Sequence, residues 1–440
     1  MELTRSRFLA LLGGGAAGLA GAALAGCAKA PPPLDTAAAD FRERAHGTVD
    51  VWCRGGLVGT SEPTVAAFHA AQDRVRIRLT PVPDGMFVTK LATAIRGGRM
   101  PDLVDIDVIN SAAFVHRGAF ADLTPLLEEL PYRDRLSPGH LALAKRDGRY
   151  YGVPSIADNS ALWCNQALLD RAKVSVDDAT GSFEGYLEAA RAVRGLGKDF
   201  YGWYLPGNGS GGLAFTVQPH IWAGGEDLVT GGIGSQRAHI AGNEPLRRTL
   251  KFLHTLWRER LMPRDCFSDD GARWTAAFYA GKVAMLPSGY NITFPKAPKA
   301  LRDDLAVRLL SGPDGGHAFF AGGNNFGIPN GARNPEGAWD FVRFCLTVRR
   351  QGTLPAAGMA PVRSDAATPA FRKKYPLAVA PLTAIDSGRA PLALAYNRIF
   401  NQNDGPWLAM LRRATFGGEV EQAMREAQQR FDEVLRQGDA

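Results

Sequence analysis

A two-lobed α/β fold is the fold class that the sequence predicts, and three features of the chain predict it. The chain has 440 residues, more than one hydrophobic core usually supports, so it is expected to divide into two units. Between residues 48 and 107 strand patterns alternate with helix patterns, which indicates a mainly parallel sheet covered by helices. Amphipathic helix patterns follow between residues 334 and 436.

The elements of the first half follow one another as strand, helix, strand, helix and strand. Strands are predicted by period-two alternation or by short apolar runs, and helices by apolar residues at helical spacing. In chain order these predicted elements are 48–52, 61–72 with Pro63 in its first turn, 75–79, 87–96 and 101–107.

Two later helices are predicted from their capping residues and apolar stripes. Asn334 is placed to cap a helix that has Pro335 at its first position and runs to residue 346. A second stripe extends over 419–436. Between the two halves of the fold, Gly- and Pro-rich loops such as 206–212 and 322–323 are the expected ligand-holding segments.

Composition and charge exclude several classes of protein. Hydrophobic residues make up 45% and charged residues 22%, as in a typical globular protein. The formal net charge is +7, and the Lys and Arg residues are scattered without a zinc-finger or RNA-binding signature. Nucleic acid is therefore not an expected partner.

The first 26 residues have the pattern of a secretory signal peptide. Arg5 and Arg7 precede an uncharged apolar stretch that ends at Leu24-Ala25-Gly26-Cys27, which resembles the lipobox of bacterial lipoproteins. A membrane-spanning anchor is the alternative, and the six glycines of residues 8–26 disfavour it. We expect a lipid on Cys27, an extracytoplasmic location and a lipid-anchored linker over 27–46; whether export follows the general or the twin-arginine route stays open.

Motifs for catalysis, cofactors and metals are weak or missing. Residues 207–212 satisfy G-x-G-x-x-G, but Pro206 and Pro219 argue against a strand, turn and helix, so a loop is predicted and no cofactor is expected. No nucleophile elbow or Walker A motif occurs, so the protein is not expected to be an enzyme. The His and Cys spacing predicts no metal site, and Tyr150-Tyr151 is interpreted as packing after a turn. The remaining cysteines are expected to be unpaired and buried: Cys53, Cys164, Cys266 and Cys345.

Six segments and one helix carry a pattern that extends over nearly the whole chain after Cys27. The segments, in order, are 100–107, 118–126, 146–154, 162–169, 277–285 and 322–328, together with the helix from Pro335. In their order and spacing they resemble family 1 of the bacterial extracellular solute-binding proteins, the carbohydrate-type receptors of ABC importers. One departure is Trp163-Cys164-Asn165, where the family commonly has Tyr-Tyr-Asn.

The resemblance implies a periplasmic-binding-protein type II fold, in which two α/β lobes joined by crossing segments close on a solute. By that likeness the first lobe takes 47–157 and 304–346, and the second takes 158–303 and 347–440. A monomer that delivers a carbohydrate-like solute to an ABC permease is the function that it implies. A non-sugar solute such as a phosphorylated polyol, for which Arg54 or Arg273 would be suitable, is the alternative. An exported carbohydrate-active enzyme is a further one.

A sugar needs planar polar side chains for its hydroxyls and aromatic rings for its C–H face. Asp158 stands where the resembling receptors carry an acidic contact, and Tyr290 stands where they often carry a stacking ring. Local turn capping is the alternative role for the paired asparagines after Gly323. The full set of expected solute-binding residues is Asp107, Asn110, Asp158, Asn159, Trp203, Trp222, Tyr290, Asn324 and Asn325.

Overall fold

The computed structural model describes residues 33–38, 41 and 43–438. The signal peptide, Cys27 and residues 28–32, 39, 40 and 42 of the predicted linker lie outside the described residues. The described strands, numbered in chain order, are β1 Gly47–Arg54, β2 Val75–Val82, β3 Leu103–Asp107, β4 Lys145–Arg146, β5 Arg149–Tyr150, β6 Val153–Asn165, β7 Tyr201–Trp203, β8 Val229–Thr230, β9 Arg237–Ala238, β10 Val283–Gly289, β11 Leu305–Arg308, β12 Leu310–Gly312, β13 Gly315–Gly327 and β14 Gly388–Arg389.

The α-helices cover both faces of the sheet. In chain order they are α1 Val58–Ala71, α2 Asp84–Arg96, α3 Val108–His116, α4 Thr124–Glu128, α5 Pro138–Leu143, α6 Gln166–Arg171, α7 Val176–Thr180, α8 Phe183–Gly195, α9 Ser210–Ala223, α10 Glu244–Arg258, α11 Ala276–Tyr279, α12 Tyr290–Thr293, α13 Lys299–Arg302, α14 Pro335–Cys345, α15 Val348–Gln351, α16 Pro369–Lys374, α17 Val379–Thr383, α18 Pro406–Gly417 and α19 Val420–Gly438.

A ten-stranded sheet runs through the molecule in the order β2-β1-β3-β13-β6-β10-β7, with β11, β12 and β14 attached beside it. Strands β2, β1 and β3 are parallel, as predicted from their succession with α1 and α2. The sheet as a whole is mixed, because β13 is antiparallel to both β3 and β6. The expectation of a mainly parallel sheet therefore holds for β2, β1 and β3 but not for the sheet as a whole.

Two 13-residue strands carry the chain from one lobe to the other. The first half of β6 pairs with β13, and its second half pairs with β10 and β11. The second half of β13 pairs with β3, whereas its first half pairs with β12 and β14. Each of these two strands therefore has one half in each lobe. This is the crossing arrangement that the family resemblance implies.

Separate hydrophobic cores define the two lobes. The first-lobe core includes Val49, Leu103 and Trp339 on one face of the sheet, and a smaller cluster around Phe87 and Phe120 fills the other face. The second-lobe core is larger and extends from the second half of β6 to α19. Burial of these apolar surfaces is the main stabilising contribution in each lobe.

Capping residues set several helix boundaries as the sequence predicts. Asn334 caps α14 by accepting a 3.0 Å hydrogen bond from the Gly337 N–H. The last helix also begins and ends within two residues of its predicted bounds. The Asp147-Gly148 turn joins β4 to β5, which confirms the hairpin that precedes Tyr151.

Three sequence-based expectations need correction. The predicted linker is not simply a tether, because Phe41 and Ala45 near its end are buried in the first-lobe core. The return to the first lobe does not begin at 304, because β11 pairs with the second-lobe half of β6 and the return occurs within β13. Pro219 does not interrupt the chain, since it lies inside α9 and the predicted loop ends at Gly209.

The four described cysteines are free and buried, as expected. Burial raises the pKa of the Cys53 thiol to about 11 and that of Cys164 to about 12. These thiols are therefore protonated and unreactive at neutral pH.

Candidate functional site

Arg54 and Asp107 meet at the carboxyl ends of β1 and β3. Arg54 Nη1 lies 2.9 Å from Asp107 Oδ2, and Arg54 Nη2 donates a 2.8 Å hydrogen bond to Asn324 Oδ1. Asp107 also caps α3 by accepting from the Ile109 N–H. Open α/β sheets bind ligands at this edge, so the first lobe presents a fixed polar surface there.

Asp158 lies where β6 passes from one lobe to the other. Its Oδ2 accepts a 2.8 Å hydrogen bond from Asn291 Nδ2, and Asn291 belongs to the second-lobe helix α12. Its Oδ1 is buried without a hydrogen-bond partner, and so is Asn291 Oδ1. Buried polar atoms are nearly always paired in folded proteins, so these oxygens mark a place for donors from outside the chain.

The two unpaired oxygens converge beside an aromatic ring. A Cβ placed on Gly289 would lie 2.7 Å from Asn291 Oδ1, 2.8 Å from Asp158 Oδ1 and 3.4 Å from the Phe215 ring. A Cβ on Gly322 would also lie 3.4 Å from that ring. Glycine at both positions lets the backbone approach Phe215 closely. We call Arg54, Asp107, Asp158, Asn291 and Phe215 the Asp158 cluster.

Burial dominates the electrostatics of this cluster. It raises the pKa of the Asp158 carboxyl to about 7, and the Arg54 guanidinium opposes that rise. Burial likewise raises the pKa of Asp107, against the effect of Arg54, and raises that of neighbouring Asp105 to about 6. The carboxyl groups of Asp105, Asp107 and Asp158 therefore all lie near the Arg54 guanidinium, and the site has no excess of positive charge.

Asn110 forms a direct contact across the lobes. Its Oδ1 accepts a 2.7 Å hydrogen bond from Asn397 Nδ2, and Asn397 Oδ1 accepts another from Asn401 Nδ2 at 2.7 Å. Asn110 lies in the first turn of α3, close in sequence to Asp107, while Asn397 belongs to a second-lobe π-helical turn. The contact of Asn110 with a solute stays a prediction.

The other predicted asparagines divide between the two faces of the sheet. Asn324 joins Arg54 and donates to the Asp105 carbonyl at 3.2 Å. Asn325 instead donates to His140 O and Ser111 Oγ beneath α3 and α5. Asn159 follows Asp158 on the same strand, so its side chain points to the opposite face. The structure therefore brings only Asn324 of these three to the Asp158 cluster.

The predicted aromatic residues are more deeply packed than expected. Trp203 lies on β7, where it contacts Tyr186 and Phe252 and is 1% exposed. Trp222 is likewise on a helix, at the end of α9. Tyr290 is 6% exposed and stacks on Phe294 with ring centroids 5.0 Å apart. Contact of these rings with a solute stays a prediction.

Two members of the cluster were missed by sequence reasoning. Asn291 directly follows Tyr290, which was predicted as a site residue. This adjacency was the signal in the sequence that could have identified Asn291. Phe215 was overlooked because Pro219 was taken as a helix breaker; once α9 is recognised as a helix, Phe215 is seen to lie half-buried in its second turn. The sequence suggested Arg54 and Arg273 only as possible phosphate ligands. Arg54 belongs to the Asp158 cluster, whereas Arg273 is exposed on another segment.

Within the residues that the structure describes, no group of three His, Cys, Asp or Glu side chains is arranged to hold a metal ion. No helix within the same residues has the length and hydropathy needed to cross a membrane.

The two-lobed fold agrees with the result of a comparison with protein-family models. A family model described as bacterial extracellular solute-binding protein matches residues 64–380. The chain therefore belongs to the bacterial extracellular solute-binding proteins, a family of binding proteins and not of enzymes. Its location is extracytoplasmic.

Two relatives illustrate how far the sequences have diverged. An uncharacterized lipoprotein of Streptomyces antibioticus is 24% identical over 69% of this chain, and the arabinooligosaccharide-binding protein of Bacillus subtilis is 21% identical over 62%. The matched stretches span 64% and 62% of these relatives' own lengths.

Solved structures show the same fold. The sugar-binding protein MalE of Xanthomonas citri superposes with a TM-score of 0.79 at 21% identity, covering 89% of this chain and 98% of that one. The GacH receptor of Streptomyces glaucescens, solved unliganded and with acarbose, gives 0.70 at 22% identity, covering 89% and 99%. The two-lobed architecture of this class is thus shared across the whole of those chains.

Proposed function

We propose that the protein is the receptor of a sugar-importing ABC transporter and binds a neutral oligosaccharide at the Asp158 cluster. The observation that carries this proposal is the pair of buried, unpaired oxygens on Asp158 and Asn291 beside the Phe215 ring. Sugar hydroxyls would donate to these oxygens, and the ring would cover the C–H face of the sugar. Relatives named for arabinooligosaccharide binding and for acarbose binding support this solute class.

A phosphorylated polyol is the less favoured solute. Both Nη atoms of Arg54 are already engaged, by Asp107 and Asn324, and only Nε is without a partner, so a phosphate would have to displace one of these contacts to bind in a bidentate manner. Asp105, Asp107 and Asp158 would also repel a phosphate dianion. The charge balance of the cluster therefore favours a neutral polyhydroxylated ligand.

A thermal-shift screen of the purified protein without its first 27 residues tests the solute class. The panel contains arabino- and malto-oligosaccharides beside phosphorylated polyols. A ligand at 100 times its dissociation constant stabilises the native state by about 2.7 kcal/mol, which gives a clear rise in melting temperature. A rise with phosphorylated polyols alone would contradict the proposal, whereas a rise with neutral oligosaccharides supports it.

We also propose that Cys27 carries a lipid and tethers the receptor near its permease. The lipobox-like tetrad before Cys27 supports this, and one relative is named a lipoprotein. Cys27→Ser should move the protein from the membrane fraction to the soluble fraction. An unchanged distribution in cell fractionation would contradict the lipid anchor without affecting the solute-binding proposal.

A further inference from the structure

A short segment of the second lobe packs against the first lobe beside the Asp158 cluster. It comprises residues 390–397, which follow β14, and β14 pairs with the second-lobe half of β13. Ala393 and Tyr396 are buried in the second-lobe core, and Gln236 Nε2 donates a hydrogen bond to the Leu392 carbonyl. The segment is therefore fixed to the second lobe.

Side chains of this segment alternate between the two lobes. Ala393 and Ala395 belong to the second-lobe core. The even-numbered side chains pack instead against the first lobe: Ala390, Leu392 and Leu394. The first-lobe surface that they cover is formed by side chains of α3 and α5 that are at most 1% exposed: Val108, Ala112 and Leu143. Separation of the lobes would expose this apolar contact to water, which costs free energy.

Helix α3 connects this contact to the Asp158 cluster. Asp107 of the cluster caps α3, whose first two turns carry part of the apolar contact. Asn110 of the same helix accepts the 2.7 Å hydrogen bond from Asn397 at the end of the segment. Both contacts occur in the lobe arrangement in which Asp158 accepts its hydrogen bond from Asn291. They join protein groups only, so they can form without a solute.

We propose that residues 390–397 act as a latch, which holds part of the unliganded population closed and so raises the affinity for the solute without touching it. The apparent affinity is proportional to the fraction of molecules in the binding-competent form. A contact made in the closed form increases that fraction. Asn397 is thus a positioning residue, which acts through Asn110. The gain in affinity rests on the proposed function, whereas the effect on the lobes does not.

Small-angle X-ray scattering of the purified protein in the absence of any sugar tests the latch. Leu392→Ser should have a larger radius of gyration than the wild type, because it removes apolar contact with the first lobe and the open form gains population. Leu187→Ser is the matched control, since Leu187 is a half-buried leucine of α8 that packs on the second-lobe core. Its radius of gyration should equal that of the wild type. Asn397→Ala, at an exposed position, should also increase the radius and leave the melting temperature unchanged.

Calorimetric titration with maltotriose and with arabinotriose tests the effect of the latch on affinity. Asn397→Ala should weaken binding about threefold, as expected for the loss of one hydrogen bond. Added to Asn110→Ala, it should cause no further loss, because its partner is already absent.

The outcomes separate the latch from the proposed function. A larger radius of gyration in Leu392→Ser but not in Leu187→Ser supports the latch, even if neither sugar binds and the proposed solute class is wrong. An unchanged radius in Leu392→Ser, or an equal increase in Leu187→Ser, overturns it. If Leu392→Ser does not fold, Asn397→Ala decides in the same way. A further loss of affinity when Asn397→Ala is added to Asn110→Ala would show that Asn397 contacts the solute itself, and would overturn its positioning role.

Discussion

Asp158 is a half-buried acidic residue at a lobe crossing, and one of its carboxylate oxygens, Oδ1, is buried and unpaired. Its other oxygen is held by Asn291, so the carboxylate has a fixed orientation. A structural carboxylate in this position would have both oxygens paired, as Asp365 has with Arg363. The unpaired oxygen is therefore the residue-scale feature that indicates a ligand.

Asp158→Asn should weaken solute binding tenfold or more, which corresponds to at least about 1.4 kcal/mol. The physical reason is that the carboxylate, which is ionised at pH 8, above its pKa of about 7, accepts hydrogen bonds more strongly than a neutral amide. Isothermal titration calorimetry with the oligosaccharide identified by the thermal-shift screen measures the change. Asp134→Asn, on an exposed first-lobe turn, is the matched control and should leave affinity unchanged. Equal affinity of Asp158→Asn and the wild type would remove Asp158 from the site.

The unliganded protein should show a pH-dependent effect of the same substitution. The pKa of Asp158 is raised to about 7 in the folded state, above about 3.9 in the unfolded state. Between these values the native state binds more protons, so the stability that Asp158 contributes is lost as pH rises towards 7. Asn has no such cost.

The stability of Asp158→Asn relative to the wild type should therefore increase between pH 5 and pH 7.5. We expect a change of about 1 to 3 kcal/mol, since each pH unit between the two pKa values corresponds to about 1.4 kcal/mol. Urea unfolding of both proteins at both pH values gives this difference in stability. His140 and His220 change stability with pH in the opposite direction, but they do so equally in both proteins, so their contributions cancel in the difference. A pH-independent difference would show that Asp158 titrates as an ordinary carboxyl.

At the scale of elements, α9 and α12 place aromatic rings in different roles. Phe215 of α9 is half-buried beside the unpaired oxygens, whereas Tyr290 of α12 is packed against Trp163 and Phe294. The sequence favoured Tyr290 as the stacking ring because its position resembles the family pattern. The packing favours Phe215.

Phe215→Ala and Tyr290→Ala should therefore differ in their effects. Tyr290→Ala should destabilise the unliganded protein by about 3 to 5 kcal/mol, as large-to-small core substitutions of aromatic residues do. Phe215→Ala should cost less stability and at least tenfold in affinity. Melting curves and calorimetric titrations of both variants measure this. Retained affinity in Phe215→Ala would contradict the assignment of its ring to the solute.

The outer elements could be predicted from sequence because their signals are local. Alternation in β1 and β2, the cap at Asn334 and the stripe of α19 depend only on neighbouring residues. The crossing within β13 could not be placed, because strand pairing decides which half belongs to which lobe. Helix α9 was not predicted for a different reason. Pro219 has a low helix propensity, but the packing of α9 against β13 stabilises the helix in spite of it.

The candidate site was predictable only in part for a similar reason. Asp107 and Asn110 lie at the end of a strand that the sequence predicts, and Asp158 was proposed from the family resemblance. Arg54, Asn291 and Phe215 reach the same place from separate elements, and only their spatial convergence identifies them. Asn325 was assigned to the site because a turn was expected at Gly322-Gly323. Both asparagines instead lie inside β13, where they contact different partners, the Asp105 carbonyl and the His140 carbonyl.

For the whole molecule, the two long strands β6 and β13 connect lobes that have separate cores. Such an arrangement permits rotation of one lobe against the other about a few residues near Asp158. The cluster draws Arg54 and Asp107 from one lobe and Asn291 and Phe215 from the other. A solute that contacts both groups would favour the closed form through contacts that the open form lacks.

Small-angle X-ray scattering with and without the identified oligosaccharide tests most directly whether the lobes close on a solute held at the Asp158 cluster. The wild type should show a smaller radius of gyration at saturating solute. Asp158→Asn should need at least tenfold more solute for the same decrease, while Asp134→Asn should follow the wild type. An unchanged radius of gyration in the saturated wild type would contradict closure of the two lobes around the bound solute.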